Sequence, residues 1–430
     1  MILSTYYVVT TLAKPLINSL LKIRCALGKE DAMRLSERRG VPSKNRASGL
    51  LIWIHAASVG EAISVLPLIN KLHDTCLECN YLVTTGTVSS AIILQERLPE
   101  RAFHQFVPID QPGWVNNFLN YWRPDLALWV ESEIWPNLLT MGHNRNLPMI
   151  LINARISIGS YRGWKPFPKT IKSLLNCFCL CMAQSPTDAE KLIALGASKV
   201  VTPGNLKFAA PPLPASKSNI RFLSQSIGTR YIWLATSTHP GEEVIILRVH
   251  SIAKKRFPNL LTIIAPRHPS QGRKIASLAE TAKLNQARRS KGDLIKDDSD
   301  IYIVDTVGEL GLFYRVAPVS FIGGSLVPHG GQNMLEAAKL DSAVIFGPHT
   351  FNFAYITDQL LKTESARKVR NAEELANALI LLLGNDDLRL AQTDRARQVV
   401  RTQEDVLTRV VDLILPYIPK TTVTPKNVSS

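Results

Sequence analysis

The sequence predicts an α/β protein of two domains, each a parallel sheet covered by helices on both faces. Three observations predict it. Short apolar runs of strand length recur along the chain with helical or loop sequence between them, the spacing that makes parallel sheets. That rhythm occurs twice, before and after Pro211-Pro212-Leu213-Pro214, a stiff stretch with polar neighbours that reads as a linker over 209–222. A chain of 430 residues with 46% apolar content can also bury two cores. The expected divisions are a membrane-associated helical segment over 1–30, a first domain over 31–208, a second over 223–395, a C-terminal helix over 396–418 and a disordered tail over 419–430.

Fifty Lys and Arg against 35 Asp and Glu leave a formal charge of +15, which points to an acidic partner: nucleic acid, an anionic membrane or a phosphorylated substrate. No helix-turn-helix or zinc-finger signature occurs, and the aromatic residues are not interleaved with the basic ones, so nucleic acid is the disfavoured choice. Cys76 and Cys79 form a C-x-x-C with no second ligand pair, which argues against zinc. Cys177, Cys179 and Cys181 alternate as small apolar residues on one face of a strand, a pattern suited to a reducing compartment. Six cysteines make no disulfide framework here.

Taken in order, residues 1–27 are mostly apolar but are interrupted by Lys14 and Pro15, so they do not supply a clean spanning helix. Up to residue 50, nine basic residues face three acidic ones. An apolar helix followed by a basic stretch lies on an anionic membrane or packs on its own domain, and this segment alone leaves both open.

Leu50 to Ile54 reads as a buried parallel strand and Ala56 to Gly60 as a tight turn. Ile63, Leu66, Leu68, Ile69 and Leu72 form the apolar face of the next helix. Glu61 therefore stands in a first helical turn at the carboxyl end of a strand, where open α/β sheets bind ligands. It either complements the helix dipole or acts as a general base, and the second role needs apolar surroundings or a negative neighbour to raise its pKa.

Tyr81–Gly86, Leu126–Glu131 and Met149–Ala154 are the following strands. The second of these ends in Glu131-Ser132-Glu133, again acids at the ligand edge. Lys207, just before the linker, falls on the wall of a cleft between domains or is an ordinary surface lysine.

The second half repeats the pattern with strands at Tyr231–Thr236, Leu260–Ala265, Ile301–Val304, Val319–Ile322 and Ala343–Phe346. Polar, Gly-rich sequence follows successive strands, which describes a nucleotide-sized concave site. Arg267 offers a fork for phosphate or carboxylate. A helix beginning between Gly330 and Asn333 and running through Met334, Leu335, Glu336 and Ala337 presents free amides to an anion, with Glu336 able to accept from ribose hydroxyls. Neither a Walker loop nor a G-x-G-x-x-G fingerprint is present. His239, His268, His329 and His349 fall in these loops beside Pro or Gly, where turn and hydrogen-bonding roles fit better than metal.

Eight motifs in register carry a resemblance: HAASVGE at 55–61, ESEIWPN at 131–137, GNLKF at 204–208, ATSTHPGEE at 235–243, APRHP at 265–269, VGEL at 307–310, GGSLVPHGGQNMLE at 323–336 and FGPHTFNF at 346–353. Together they resemble the 3-deoxy-D-manno-octulosonic acid (Kdo) transferases of Gram-negative lipopolysaccharide synthesis. The resemblance implies the GT-B fold, with two Rossmann-like domains facing across a cleft. It also implies CMP-Kdo as donor, the glucosamine disaccharide of the lipid A precursor (lipid IVA) as acceptor, inversion at the anomeric centre, and no metal or other cofactor. The expected place is the cytoplasmic side of the bacterial inner membrane.

Carried over residue by residue, Glu61 would be the base on the acceptor hydroxyl, and Glu131 and Lys207 would support the transition state. Pro266 and Arg267, the Gly308-Glu309-Leu310 turn, and Asn333, Met334, Leu335 and Glu336 would hold CMP. Ala56-Ala57 stands where the family often has His-Ser or Gly-Ala. The residues by themselves leave two other readings open: a GT-B protein for another nucleotide sugar, and a basic adaptor without catalysis.

Overall fold

Continuous apolar runs dictate strands buried on both faces, and the computed structural model, which describes residues 2–419, builds two sheets from them. The chain divides into two units: Met1–Ala210 together with Glu404–Ser430, and Pro211–Gln403. The first sheet contains β1 (Leu51–His55), β2 (Asn80–Thr85), β3 (Ala102–Phe106), β4 (Leu126–Val130), β5 (Met149–Ala154), β6 (Leu180–Ala183) and β7 (Val200–Val201). All pair in parallel, in the order β3-β2-β1-β4-β5-β6-β7.

The two faces of this sheet follow from residue alternation. Trp53 and Trp129 turn to one side, where they meet at 4.8 Å and join Phe118 and Trp122. Ile52 and Ile54 turn to the other, against Val65, Leu68 and Ile69 of the helix Val59–Thr75. Ile63, expected on that apolar face, points outward instead.

The second sheet contains β8 (Ile232–Thr238), β9 (Leu261–Pro266), β10 (Gln286–Arg288), β11 (Ile301–Ile303), β12 (Val319–Ile322), β13 (Ala343–Phe346) and β14 (Ala366–Lys368). Its order is β10-β11-β9-β8-β12-β13-β14, again wholly parallel. In each sheet the first strand in sequence lies in the interior, and the chain leaves it first to one side and then to the other. β1 and β4 are therefore the neighbours at the first switch point, and β8 and β12 at the second.

Four expectations differ from this structure. The linker is shorter than 209–222, because a helix spans Lys217–Ile227 and buries Leu223 and Ile227. The stretch expected as one helix over 396–418 is two, Asp386–Arg401 and Val406–Ile414. The second of these returns to the first unit, where Val406, Val410, Val411 and Ile414 share a core with Ile54, Val65 and Leu206. Cys76 and Cys79 are joined in a disulfide across the turn into β2, so the cysteines are not all free thiols. Of the alternating cysteines only Cys181 lies on a strand. The expected tail falls, from Lys420 onward, outside the described residues.

The apolar N-terminus forms two helices, Ile2–Leu12 and Lys14–Ala26, with Pro15 in the first turn of the second. No helix among the described residues is long and apolar enough to cross a membrane. The first helix is fastened to its domain by polar contacts: the Tyr6 hydroxyl donates to Asp110 at 3.0 Å and the Asn137 amide donates to Thr10 at 3.0 Å. Its other side exposes Tyr7, Val8, Val9 and Leu12, and the second helix exposes Leu16, Leu20 and Ile23.

Candidate functional site

At the first switch point, β1 ends at His55 and the helix Val59–Thr75 starts after the small residues Ala56, Ala57 and Ser58. Ser58 and Glu61 cap each other: the Glu61 amide donates to Ser58 Oγ at 3.3 Å, and the Ser58 hydroxyl returns a bond to Glu61 Oε1 at 3.0 Å. The Ala57 amide donates to Oε2 at 2.7 Å. These bonds stabilise the ionised carboxylate, as does the helix N-terminus. Burial opposes them, and with the negative charge of Glu131 it prevails, so Glu61 is pushed up from 4.5 to about 7. A carboxylate that served only to complement a helix dipole would be held low, whereas this one is poised to exchange a proton near neutral pH.

Glu131 follows β4, the strand beside β1. Its backbone is left-handed, with φ of 59°, unusual for a residue carrying a Cβ, and is held by a bond from its amide to Ile152 O at 3.0 Å. Its Oε1 accepts from Lys207 Nζ at 2.7 Å, both side chains being mostly buried. Lys207 is set by a short polar chain. Asn205 accepts from the Lys207 amide at 3.0 Å and donates to Gln184 at 3.0 Å, while Asn153 at the end of β5 accepts from the Leu206 amide at 3.0 Å. Glu133 lies nearby with its pKa raised by burial and by Glu131, against a bond from Trp135.

The structure thus brings Glu61, Glu131 and Lys207 to one sheet edge. Glu133, read with Glu131 as an acid at the ligand edge, lies with them, and the structure adds Asn153 and Asn205, which sequence reasoning passed over although Asn205 lies within a quoted motif. Beneath them His55 is fully buried and held neutral, its pKa lowered to about 3 by desolvation.

In the second unit, Pro266 closes β9 and Arg267 stands exposed beyond it. Arg267 lies near enough to Glu336 to favour its ionised form; burial dominates, however, and holds Glu336 at about 7. Asn333 braces this corner, its amide donating to Glu336 at 3.2 Å and its carbonyl oxygen accepting from the Leu335 amide at 3.2 Å. The helix expected from Gly330 onward is a single turn, Leu335–Ala338, so the expected row of free amides at its start is reduced. Met334 and Leu335 point into the core, which leaves their main chain as the part a nucleotide could touch. Gly308 has φ of 86° and is exposed, in the turn that leads into the helix Leu310–Val316. The Glu309 carboxylate is engaged by Arg289 at 2.6 Å and by Thr306, which lowers its pKa and keeps its charge paired. No group of three or more His, Cys, Asp or Glu side chains suited to a metal occurs among the described residues.

Residues 33–210 match the family model described as 3-deoxy-D-manno-octulosonic-acid transferase (kdotransferase). The chain is 36% identical over 417 residues to the 3-deoxy-D-manno-octulosonic acid transferase of Rickettsia bellii, covering 96% of this chain and 99% of that one. It is 32% identical over 375 residues to the enzyme of the same name from Haemophilus influenzae, covering 86% and 87%. Among solved structures, a glycosyltransferase from Rickettsia africae aligns with a TM-score of 0.59 at 14% identity over 87% of this chain and all of that one. The UDP-GlcNAc 2-epimerase of Neisseria meningitidis bound to UDP-GlcNAc aligns with a TM-score of 0.60 at 13% identity over 86% and 100%. At such identity these likenesses show the fold alone, two parallel-sheet α/β domains of the GT-B kind.

Proposed function

Since the chain belongs to the 3-deoxy-D-manno-octulosonic acid (Kdo) transferase family and is a glycosyltransferase, we propose that it moves Kdo from CMP-Kdo to the lipid A precursor lipid IVA, releasing CMP with inversion of the anomeric centre. The observation that carries this reading is Glu61, a carboxyl group at the first switch point with a pKa near 7.

Glu61 accepts the proton of an acceptor hydroxyl as that oxygen bonds to the anomeric carbon, and the bond to the CMP phosphate breaks with its electron pair leaving on phosphate. One displacement of this kind inverts the carbon. Glu131 sustains the basicity of Glu61, and Lys207 pairs with Glu131 and holds it in place. Arg267 faces the departing phosphate, and Glu336, the turn at Gly308 and the main chain from Asn333 to Leu335 hold the cytidine end.

The apolar row from Tyr7 to Ile23, followed by a basic stretch, lies on the anionic surface of the inner membrane at its cytoplasmic side, where a lipid acceptor is found. The charge of +15 suits the phosphates of that acceptor.

The direct test is incubation of the purified protein with CMP-Kdo and tetraacyl lipid A precursor, reading lipid masses and released CMP. A mass gain of one or more Kdo units is expected, and the same masses give the number transferred. Product formed from a UDP-sugar, with none from CMP-Kdo, would reject the donor. Flotation with anionic vesicles tests the membrane surface, with binding lost when Leu12 and Leu16 are changed to serine.

A further inference from the structure

Three histidines that the proposed reaction leaves without a role converge at the second switch point. His239 follows β8, His268 follows β9 and His329 lies in the loop after β12. The rings of His239 and His329 are stacked, 4.2 Å apart at 21°, and His268 meets His239 edge-on at 6.5 Å. The Gln332 amide nitrogen is 3.1 Å from His239 Nε2.

The backbone is shaped to permit this convergence. A bulge at Ser237, with φ of 52°, breaks the register of β8 with β9 and re-aims the residues after it. Gly324 lies under the rings, where an added Cβ would come within 3.0 Å of His239 Cδ2.

The charged groups around His239 are basic. The charged groups acting on His239 are His329, Arg267 and His268, and after burial it is their repulsion that holds its pKa down to about 4. The carboxylate of Glu242 cannot answer them. Glu242 is fully buried and gives each oxygen to two backbone amides: Oε2 to His239 at 2.9 Å and Gly324 at 2.6 Å, Oε1 to Ser325 at 3.0 Å and Leu326 at 2.9 Å. Imidazole N–H groups gathered beside an exposed arginine, with the local carboxylate already consumed, are a receptor for an anion.

Resting on the donor proposed above, we propose that His239, His268 and His329, with Gln332, receive the carboxylate of the donor's sugar acid beside the phosphate assigned to Arg267. The chemistry requires such adjacency. An ulosonic acid carries its carboxylate on the anomeric carbon itself, so the carboxylate group and the phosphate ester oxygen are bonded to the same carbon. His268 is joined directly to Arg267 in the chain. Nucleotide sugars with a neutral sugar have no such group, so this subsite selects an acidic sugar rather than a nucleotide.

The test separates the two halves of the donor in the full-length protein. The dissociation constant for CMP alone and the KM for CMP-Kdo are measured for the wild type, His239→Ala, His268→Ala and His268→Gln. His268 is exposed, so its variants keep the test independent of any folding defect at the half-buried His239.

Loss of one hydrogen bond to a charged group predicts a KM for CMP-Kdo raised about tenfold or more, with CMP affinity within about twofold of wild type. His268→Gln, which keeps a donor, recovers part of the loss. Equal weakening of CMP and CMP-Kdo, or no change in either, overturns the carboxylate subsite while leaving the donor reading intact. A wild-type protein that binds neither CMP nor CMP-Kdo overturns the donor reading, and this assignment with it.

Discussion

The two sheets share one topology, yet the edges at their switch points carry opposite chemistry. After β1 and β4 stand carboxylates, Glu61, Glu131 and Glu133, with one buried lysine among them. After β8 and β12 stand imidazoles and glycines, and a carboxylate that approaches them, Glu242, is consumed by four amides. The difference teaches that the strand order supplies only the place. The few residues after the central strands decide whether that place holds a proton acceptor or an anion receptor.

The comparison predicts its own tests, and the largest effect belongs to the acidic edge. Glu61→Gln keeps a capping acceptor but not a base, so kcat should fall about a thousandfold with CMP affinity and circular dichroism unchanged. A variant turning over near the wild-type rate would remove the distinction between the edges.

Lys207→Met takes away the cation paired with Glu131, and transfer should fall roughly a hundredfold. The acid limb of the kcat/KM profile, expected near pH 7 from Glu61 in the wild type, should move to higher pH because less positive charge then opposes protonation of the carboxylates. A limb that stays in place or moves lower would show that Lys207 does not govern the basicity of this edge.

At the second edge a carboxylate works in stability. Glu242→Ala orphans four amides and should cost about 2–4 kcal/mol in denaturant unfolding, against little for Glu61→Ala.

The smallest effect sharpens the contrast by its sign. The folded protein keeps a proton on Glu61 up to about pH 7, whereas the unfolded chain releases it near 4.5. Stability from this group therefore falls as pH rises through that window and is level above it. Glu61→Gln should melt roughly a few degrees above the wild type at pH 8, with the gap closing toward pH 4.5. A gap that widened on acidification would reverse the assigned shift.

Much of this was legible in the chain itself. Apolar runs as continuous as those of β1, β4 and β5 have no stable alternative to a doubly covered parallel strand, and small residues before Glu61 mark a strand end that turns into a helix. Glu131 and Lys207 were legible as residues but not as a pair, because 76 positions separate them and only the fold joins them. The helix Lys217–Ile227 was hidden by its polar content, Leu223 and Ile227 alone being enough for one buried face while Phe222 is exposed. Glu242 stood in the sequence only as part of the motif at 235–243. That it reaches across to the loop after β12, more than 80 residues on, is a tertiary fact with no local signal. The return of residues 406–414 to the first unit is of the same kind, whereas the disulfide at Cys76 and Cys79 is local and its C-x-x-C was in view.

That return has a consequence for biosynthesis. The layer of Ile54, Val65 and Leu206 is sealed by Val406, Val410 and Ile414, which leave the ribosome only after the whole second unit has been made. Until then the first unit must wait with an apolar flank uncovered, and a message truncated at codon 403 would yield a product that carries every residue named at both edges and still has an unfinished wall.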